Sequence, residues 1–564
     1  MPQPPFETEI AATIWASRYR FVRDGEPVDL TPADTWARIA RAAAEPEGAA
    51  APSWRQRFEA LVTDLGFLPG GRIIAGAGTE RRVTLANCFV MGALTDDMAR
   101  IFDALKEGAL TMQAGGGIGY DFSPLRPEGD QAATTGNIAS GPVSFMRVWD
   151  AMCATISSTG YRRGAMMATL AIDHPDIFQF VHAKADRRSL AHFNCSVLVS
   201  EAFMTALEAG GRWPLRFGNR VYREVEAGKL WDAITRNAYE GSEPGILFVD
   251  RINAENNLAY RETLRASNPC GEVPLPPYGA CQLGSFNLTA YVRDPFTPRA
   301  RFDLAALADR VPAAVRLLDN LLDVSLYPLP AQREAARATR RIGLGFMGLG
   351  SALIMLGLHY DSDAARGLAA EIARTLRDAA YRASVEAARE RGACPAFDAR
   401  RYPERPFVAR LPAELRADIA RYGIRNSHLL AIAPTGTISL LANNVSSGIE
   451  PVFRGEFQRT LRTGPETRTV TVEEFARMRW RRDRGAEAPL PDTFVTATDL
   501  TPRAHLAMQA AVQPLVDQGI SKTINVPESM PFEAFQQIYR DAHRLGLKGI
   551  TTFRPRSDRR GVLQ

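Results

Sequence analysis

From about Leu68 to Phe553 the chain alternates short β-prone runs with amphipathic helical stretches. That alternation commits it to an α/β fold, in which strands are covered by the helices that connect them. The C-terminal part shows the pattern plainly. Thr501 and Pro502 supply an N-cap and a first-turn proline, and the periodicity predicts a helix running on to Gly519. Residues 522–526 then read as a strand. A helix follows with Phe532, Phe535, Ile538, Tyr539, Ala542 and Leu545 on one face, stopped by Gly546, and residues 549–553 read as the next strand. Residues 364–391 form a long Ala/Arg-rich helix. The run 342–358 is apolar or Gly apart from Ser351, but it carries five glycines and falls short of the roughly 20 residues a membrane span needs. It reads as a buried strand followed by a buried helix. Residues 1 to about 65 read as a helical region with Trp15, Trp36, Ile39 and Leu61 on apolar stripes, and 66–564 as one α/β unit. The stretches 45–52 and 481–492 read as loops.

Composition narrows the function classes. A 46% hydrophobic share with 23% charge is that of a globular enzyme. Only five of the 68 basic residues are lysines, and no dense basic run accompanies the net charge of +5. A nucleic-acid footprint needs a clustered basic face, so no nucleic-acid partner is expected. Met1-Pro2-Gln3-Pro4-Pro5 lacks the basic and apolar blocks of a signal peptide, so a cytoplasmic protein without membrane association is expected. The six cysteines are Cys88, Cys153, Cys195, Cys270, Cys281 and Cys394, with no C-x-x-C pair. A zinc site of the usual spacing is therefore absent from the sequence, and no metal ligation by side chains is expected. Cys153, Cys195 and Cys394 read as small buried hydrophobes.

The segment Asn268-Pro269-Cys270-Gly271-Glu272 is followed by Pro274, Pro276, Pro277, Gly279 and Cys281. Proline and glycine at that density forbid helix and central strand. The segment is thus a rigid loop presenting an amide, a thiol and a carboxylate within five residues. A nearby carboxylate raises a thiol's pKa and makes a poor thiolate nucleophile. It suits a thiol that gives and takes a hydrogen atom, with the carboxylate as a base. On this segment alone a merely structural loop fits equally well.

The wider sequence adds a resemblance. The loop, its second cysteine eleven residues beyond Cys270, and Leu283-Gly284-Ser285-Phe286-Asn287-Leu288 closely resemble the finger loop of ribonucleotide reductases. Further blocks lie in the same order along that family. They are Gly-Gly-Gly-Ile-Gly-Tyr ending at Tyr120, Arg-Arg-Gly-Ala-Met-Met ending at Met167, Asp173-His174-Pro175-Asp176 and Arg-Ile-Gly-Leu-Gly-Phe-Met-Gly ending at Gly348. Nearer the C-terminus stand Ala-Pro-Thr-Gly-Thr-Ile-Ser ending at Ser439, Ser447-Gly448-Ile449-Glu450-Pro451, Ser521-Lys522-Thr523-Ile524-Asn525 and Lys548-Gly549-Ile550-Thr551. The resemblance implies the ten-stranded α/β barrel of the ribonucleotide reductase and glycyl radical enzyme type, with Cys270 on a finger loop near 268–281 threaded into it. It implies that Cys270 becomes the thiyl radical that takes the substrate's 3′ hydrogen. Glu272 would be the base on the 3′ hydroxyl, Asn268 the residue that orients the substrate, and Cys88 with Cys281 the reducing pair. Pro434, Thr435, Gly436, Thr437 and Ile438 would grip the substrate's phosphates at a helix start; without the resemblance this motif is an ordinary N-cap. Asp96, Arg126, Arg162 and Arg163 match positions where the family binds a deoxynucleotide or ATP effector, and the arginines of the loop 157–166 read otherwise as a solvated basic turn.

The family has three radical sources. The chain ends Gly561-Val562-Leu563-Gln564, without the glycyl-radical motif, and none of its 14 tyrosines neighbours another, as the kind fed by a radical-supplying subunit requires. The wording of the loop and of the 521–525 block resembles the adenosylcobalamin-dependent kind, so adenosylcobalamin is the expected cofactor; the alternative is the large subunit of a metal-dependent reductase. Asp541-Ala542-His543-Arg544-Leu545-Gly546 fits a cobalt-ligating pattern, but outside the domain such a pattern opens, and reads as coincidence. No cysteine follows Cys394, which points to a thioredoxin-like reductant or a separate cysteine-tail polypeptide. By the same resemblance the substrate is a ribonucleotide, a diphosphate rather than a triphosphate, and the chain a homodimer.

Overall fold

Five parallel strands form half of a ring: β1 (Cys88–Val90), β2 (Gly117–Asp121), β3 (Met166–Ala171), β4 (Phe193–Val199) and β5 (Gly245–Phe248). The other half comprises β6 (Ala280–Asn287), β7 (Ile342–Met347), the segment 430–432, β8 (Thr523–Asn525) and β9 (Gly549–Phe553). β6 pairs with β7, and β8 with β9, in parallel. The segment 430–432 is bridged in parallel to Leu344 on one side and to Ile520 on the other, which closes the ring. The two halves meet antiparallel, β1 against β6 and β5 against β9. Nine strands and one bridged segment make the ten staves of the barrel the sequence led us to expect. This computed structural model describes residues 6–131, 138–157, 164–186, 188–463 and 466–555.

Parallel strands are covered on both faces, which is why they read as continuous apolar runs instead of alternating ones. Every residue of β6 and of β7 is buried. Outside the ring lie two large apolar cores, one for each half. The first joins α1 (Pro32–Ala44) and α2 (Ala51–Thr63) of the N-terminal region to β7, α3 (Leu304–Val324) and α4 (Asp363–Arg391), through Trp36, Phe58, Leu318, Phe346 and Ile372. The second covers the other half through Trp149, Phe193, Trp231 and Tyr539. A third, small cluster fills the lumen: Cys88, Val90, Ala266, Val273, Leu275, Cys281, Leu283, Ala431 and Ala433. Among the described residues, no helix is long and apolar enough to cross a membrane.

Three expected boundaries differ. Residues 45–50 form a 3-10 helix and 51–63 an α-helix where a loop was expected through Pro52. Pro52 sits in the first helical turn, where its missing N–H leaves nothing unsatisfied, and buried Glu47 is held by Arg316, Arg391 and Asn320. The helix opened by Thr501 stops at Val512 and passes into a short 3-10 turn instead of reaching Gly519, because Pro514 cannot continue an α-helical ladder. Residues 481–484, expected in a loop, complete the helix Phe475–Arg484.

The finger loop is a hairpin whose arms, Ala266–Ser267 and Pro274–Leu275, pair antiparallel inside the barrel. Its entry depends on Gly119 of β2: a Cβ there would lie 1.9 Å from the Ser267 carbonyl oxygen. Glycine inside a strand is expected where another backbone comes that close. Gly119→Ala is therefore expected to lower the unfolding free energy by about 3 kcal/mol, the upper end for overpacking against rigid backbone. Gly228→Ala, on a helix with open space around the added methyl, should leave stability unchanged or slightly raised. Denaturant unfolding of both variants checks the contrast.

Candidate active site

At the hairpin tip one side chain organises the rest. Asn268 is fully buried. Its Oδ1 accepts from the Val273 amide at 2.9 Å and from Ser267 Oγ at 3.1 Å. Its Nδ2 donates to Glu272 Oε2 at 2.8 Å and to Cys88 Sγ at 3.3 Å. One amide thus ties both limbs of the hairpin together and reaches across to β1. The tip is strapped from two further sides: the Pro269 carbonyl accepts from Asn194 Nδ2 at 2.7 Å, and the Glu272 carbonyl from the Gly519 amide at 2.8 Å. Between those straps Cys270 is exposed, whereas Asn268 and Glu272 are buried.

Burial pushes the Glu272 carboxyl up to about 7; the hydrogen bond from Asn268 pulls the other way and does not overcome it. Loss of hydration disfavours the carboxylate, and no cation stands among the groups that shift it.

Cys88 and Cys281 face each other directly across the antiparallel contact of β1 and β6. Directly opposed residues in such a pair have Cα atoms about 4.5–5.5 Å apart, inside the range a disulfide spans. Both lie in the lumen cluster. Room for the Cys281 sulfur comes from Gly343 of β7, where a Cβ would sit 2.9 Å from Sγ. Burial holds the Cys281 thiol well above the usual thiol range. The five residues Asn268, Cys270, Glu272, Cys88 and Cys281 are therefore gathered at one place.

The other expected site residues fall at two places. Thr435 takes a left-handed conformation, φ 53°, and α5 (Gly436–Leu441) begins immediately after it. The Thr435 hydroxyl accepts from the Gly448 amide at 2.9 Å. Ile438 is buried, Pro434 and Thr437 half-buried, and Gly436 exposed. The first amides of this helix have no intrahelical acceptor. Asp96 and Arg126 pair at 2.5 Å, each about a quarter exposed, and Asp96 also accepts from the Arg126 amide. Arg162 and Arg163 lie outside the described residues. His543 contacts Glu201 at 2.8 Å and packs on Phe248.

Sequence reasoning missed two groups. Asn194 is the single exposed residue of β4, whose other positions are buried; a polar residue second in an apolar run was the available signal. Gln518, beside Cys281, had none, because tertiary packing alone brings it there.

Residues 86–553 match the barrel domain of ribonucleotide reductases, and residues 5–82 match that family's all-alpha domain. A vitamin B12-dependent ribonucleoside-diphosphate reductase of Mycobacterium tuberculosis is 41% identical over 96% of this chain and 79% of its own length. One of Thermoplasma acidophilum is 35% identical over 91% of this chain and 66% of its own. A vitamin B12-dependent ribonucleotide reductase of Streptomyces coelicolor is 30% identical over 85% of this chain and 57% of its own. With a strapped hairpin carrying Cys270 inside a ten-staved barrel, and with those matches along nearly all of its length, the chain belongs to the ribonucleotide reductase family.

Proposed function

We propose that this chain reduces ribonucleotides, diphosphates by analogy with the relatives named for that substrate, to 2′-deoxyribonucleotides with adenosylcobalamin as cofactor. The observation that carries the reading is the Asn268 amide, which bonds Glu272 and Cys88 at once beside an exposed Cys270. The relatives above favour the cobalamin-dependent reading over a large subunit that needs a radical-supplying partner.

Cys270 exchanges a hydrogen atom with the 3′ carbon of the substrate. Glu272 takes the 3′ hydroxyl proton; a base whose pKa lies near neutrality is matched to that task. Asn268, fixed at both ends of its amide, holds Glu272 and the Cys88 sulfur in register with the ribose. Cys88 and Cys281 supply two electrons and two protons: one ribonucleotide and two thiols become one deoxyribonucleotide, one water and one disulfide. The start of α5 (Thr435 to Ile438, entered from Pro434) binds the substrate phosphates. Asp96, Arg126, Arg162 and Arg163 serve the nucleotide effector. A thioredoxin-like dithiol or a cysteine-bearing polypeptide reopens the disulfide.

The residues present fit the cofactor. Asn194 leaves one side of Cys270 polar and open. Ser196 lies two residues along the same face of β4, and the Thr551 hydroxyl approaches the same spot over Gly245. These three would hold its adenosyl end. When bound, adenosylcobalamin supplies the one-electron chemistry that removes the hydrogen atom from the Cys270 thiol.

Incubating the chain with a ribonucleoside diphosphate, adenosylcobalamin and a small dithiol should yield deoxynucleotide, and absence of product overturns the reading. Cys270→Ser should abolish turnover with nucleotide binding retained. Cys88→Ser or Cys281→Ser should stop the reaction from cycling.

The Glu272 carboxyl gives a pH signature. Its folded pKa, about 7, lies above its ordinary value of 4.5, so between those values the folded chain holds a proton that the unfolded chain has released. Its contribution to stability therefore falls as pH rises from about 4.5 to 7 and is flat above. Glu272→Gln should be more stable than wild type at pH 8, by on the order of 3 kcal/mol, with the gain vanishing below pH 4.5. In the wild type, turnover should rise with pH through about 7, as the base deprotonates; denaturant melts and rate profiles read the two effects.

A homodimer is supported by an apolar stripe on the helix Met98–Gln113, where Met98, Phe102 and Leu110 are 61%, 49% and 43% exposed, beside Val148 on the neighbouring helix. Phe102→Glu should convert a dimer to a monomer by light scattering; a wild-type monomer refutes the assignment.

A further inference from the structure

The Cys281 thiol has a polar neighbour that the reaction scheme leaves unused. Gln518 is 3% exposed. Its Nε2 donates to the Ile342 carbonyl at 2.9 Å and to the Leu430 carbonyl at 3.2 Å. Those carbonyls belong to β7 and to the bridged segment beside it, so the amide plane is fixed across the seam that closes the barrel. Its other end, Oε1, is buried without a close hydrogen-bond partner. The Cys281 S–H is the side-chain donor that meets Gln518. A buried carbonyl oxygen without a partner is destabilising, so such a position favours a neighbouring donor. Cys88 has the opposite role, since its sulfur accepts from Asn268 Nδ2.

We propose that Gln518 is a positioning residue for the active-site dithiol: its Oε1 accepts the Cys281 S–H in the reduced enzyme and so sets how readily the Cys88–Cys281 pair is oxidised. This rests on the reading of those two thiols as the reducing pair. When the pair closes, the two S–H bonds break and one S–S bond forms. Two electrons and two protons pass to the substrate, one proton leaving with the departing hydroxyl as water. The disulfide has no S–H, so Gln518 loses its donor. An interaction present only in the dithiol stabilises the dithiol and makes the disulfide easier to reopen.

The test equilibrates the full chain with mixtures of reduced and oxidised dithiothreitol. The Cys88–Cys281 disulfide fraction is read by alkylation and mass spectrometry, without turnover. Gln518→Met, which keeps shape but removes the oxygen, should shift the equilibrium toward disulfide by about three- to tenfold, the worth of one modest hydrogen bond. A second reading is a double-mutant cycle with Cys281→Ala under denaturant: the effect of Gln518→Met on the unfolding constant should shrink by a similar factor when the thiol is gone. If Gln518→Met does not fold, Gln518→Asn withdraws the oxygen by one carbon and should shift the equilibrium in the same direction. A wild-type pair that closes normally, with an unchanged equilibrium in the folded variant, overturns the role of Gln518 alone. A wild-type pair that never closes overturns the reducing-pair reading and this inference with it.

Discussion

The active site depends on a stretch of hairpin backbone lying inside a barrel, where bulk water does not satisfy its polar groups. Buried peptide groups need partners, and the partners found here are mostly side chains and amides of the barrel wall. Asn268 serves the Val273 amide, Asn194 the Pro269 carbonyl, Gly519 the Glu272 carbonyl and Thr169 the Arg265 carbonyl. Arg265 itself is anchored at the hairpin's base on Asp121 of β2, at 2.7 Å. The loop is thus held by a surrounding set of hydrogen bonds, not by its own short ladder of paired residues. Rigidity at the tip, where Cys270 stands, follows from that surround. A thiol that must meet one carbon of a substrate is useful only if its position is fixed to a fraction of an ångström.

The same architecture accounts for the two-cysteine pair. Within each half the strands are parallel, and a parallel neighbour is reached only by a long crossover. Antiparallel opposition occurs where the halves meet, and Cys88 and Cys281 sit at one of those two seams. The seam brings together residues 193 positions apart in sequence. It also turns both side chains into the lumen, where Asn268 reaches the nearer sulfur. Gly343 on the adjoining strand leaves space for the farther one. Loop, seam and small residue are therefore parts of one arrangement.

Much of this was legible in the sequence because local chemistry dictates it. Proline and glycine around Cys270 forbade regular structure, and the apolar run from Ile342 forced a buried strand and helix, found as β7 and the helix Leu349–Met355. The strand 549–553 and the helix after Ser362 came out within a residue, the latter capped by the Ser362 hydroxyl on the Ala365 amide. What escaped was set by distant contacts. The 45–50 segment is helical because buried Glu47 binds arginines more than 250 positions away in one case. Asn194 and Gln518 acquire their neighbours only once the ring has closed. Composition near either residue carries no trace of that, since an amide at a strand start or in a turn is ordinary.

Electrostatics separates the working carboxylate from its buried neighbours. Glu450 is paired with Lys522, and Glu262 with Arg341, in contacts close enough to keep both partners charged. Such pairs hold position, and removing one partner strands a charge in the interior. Glu272 has no such partner. Its only side-chain bond is from a neutral amide, so neither protonation state is locked. Asn268 can donate to the carboxylate and can remain in place beside the neutral acid, because its other contacts, to the Val273 amide and the Cys88 sulfur, do not depend on the proton. A cation in place of Asn268 would fix the charge and pull the pKa down, and an apolar residue would leave the carboxylate without any donor. An amide at this position is the choice that keeps the proton mobile while the geometry stays still.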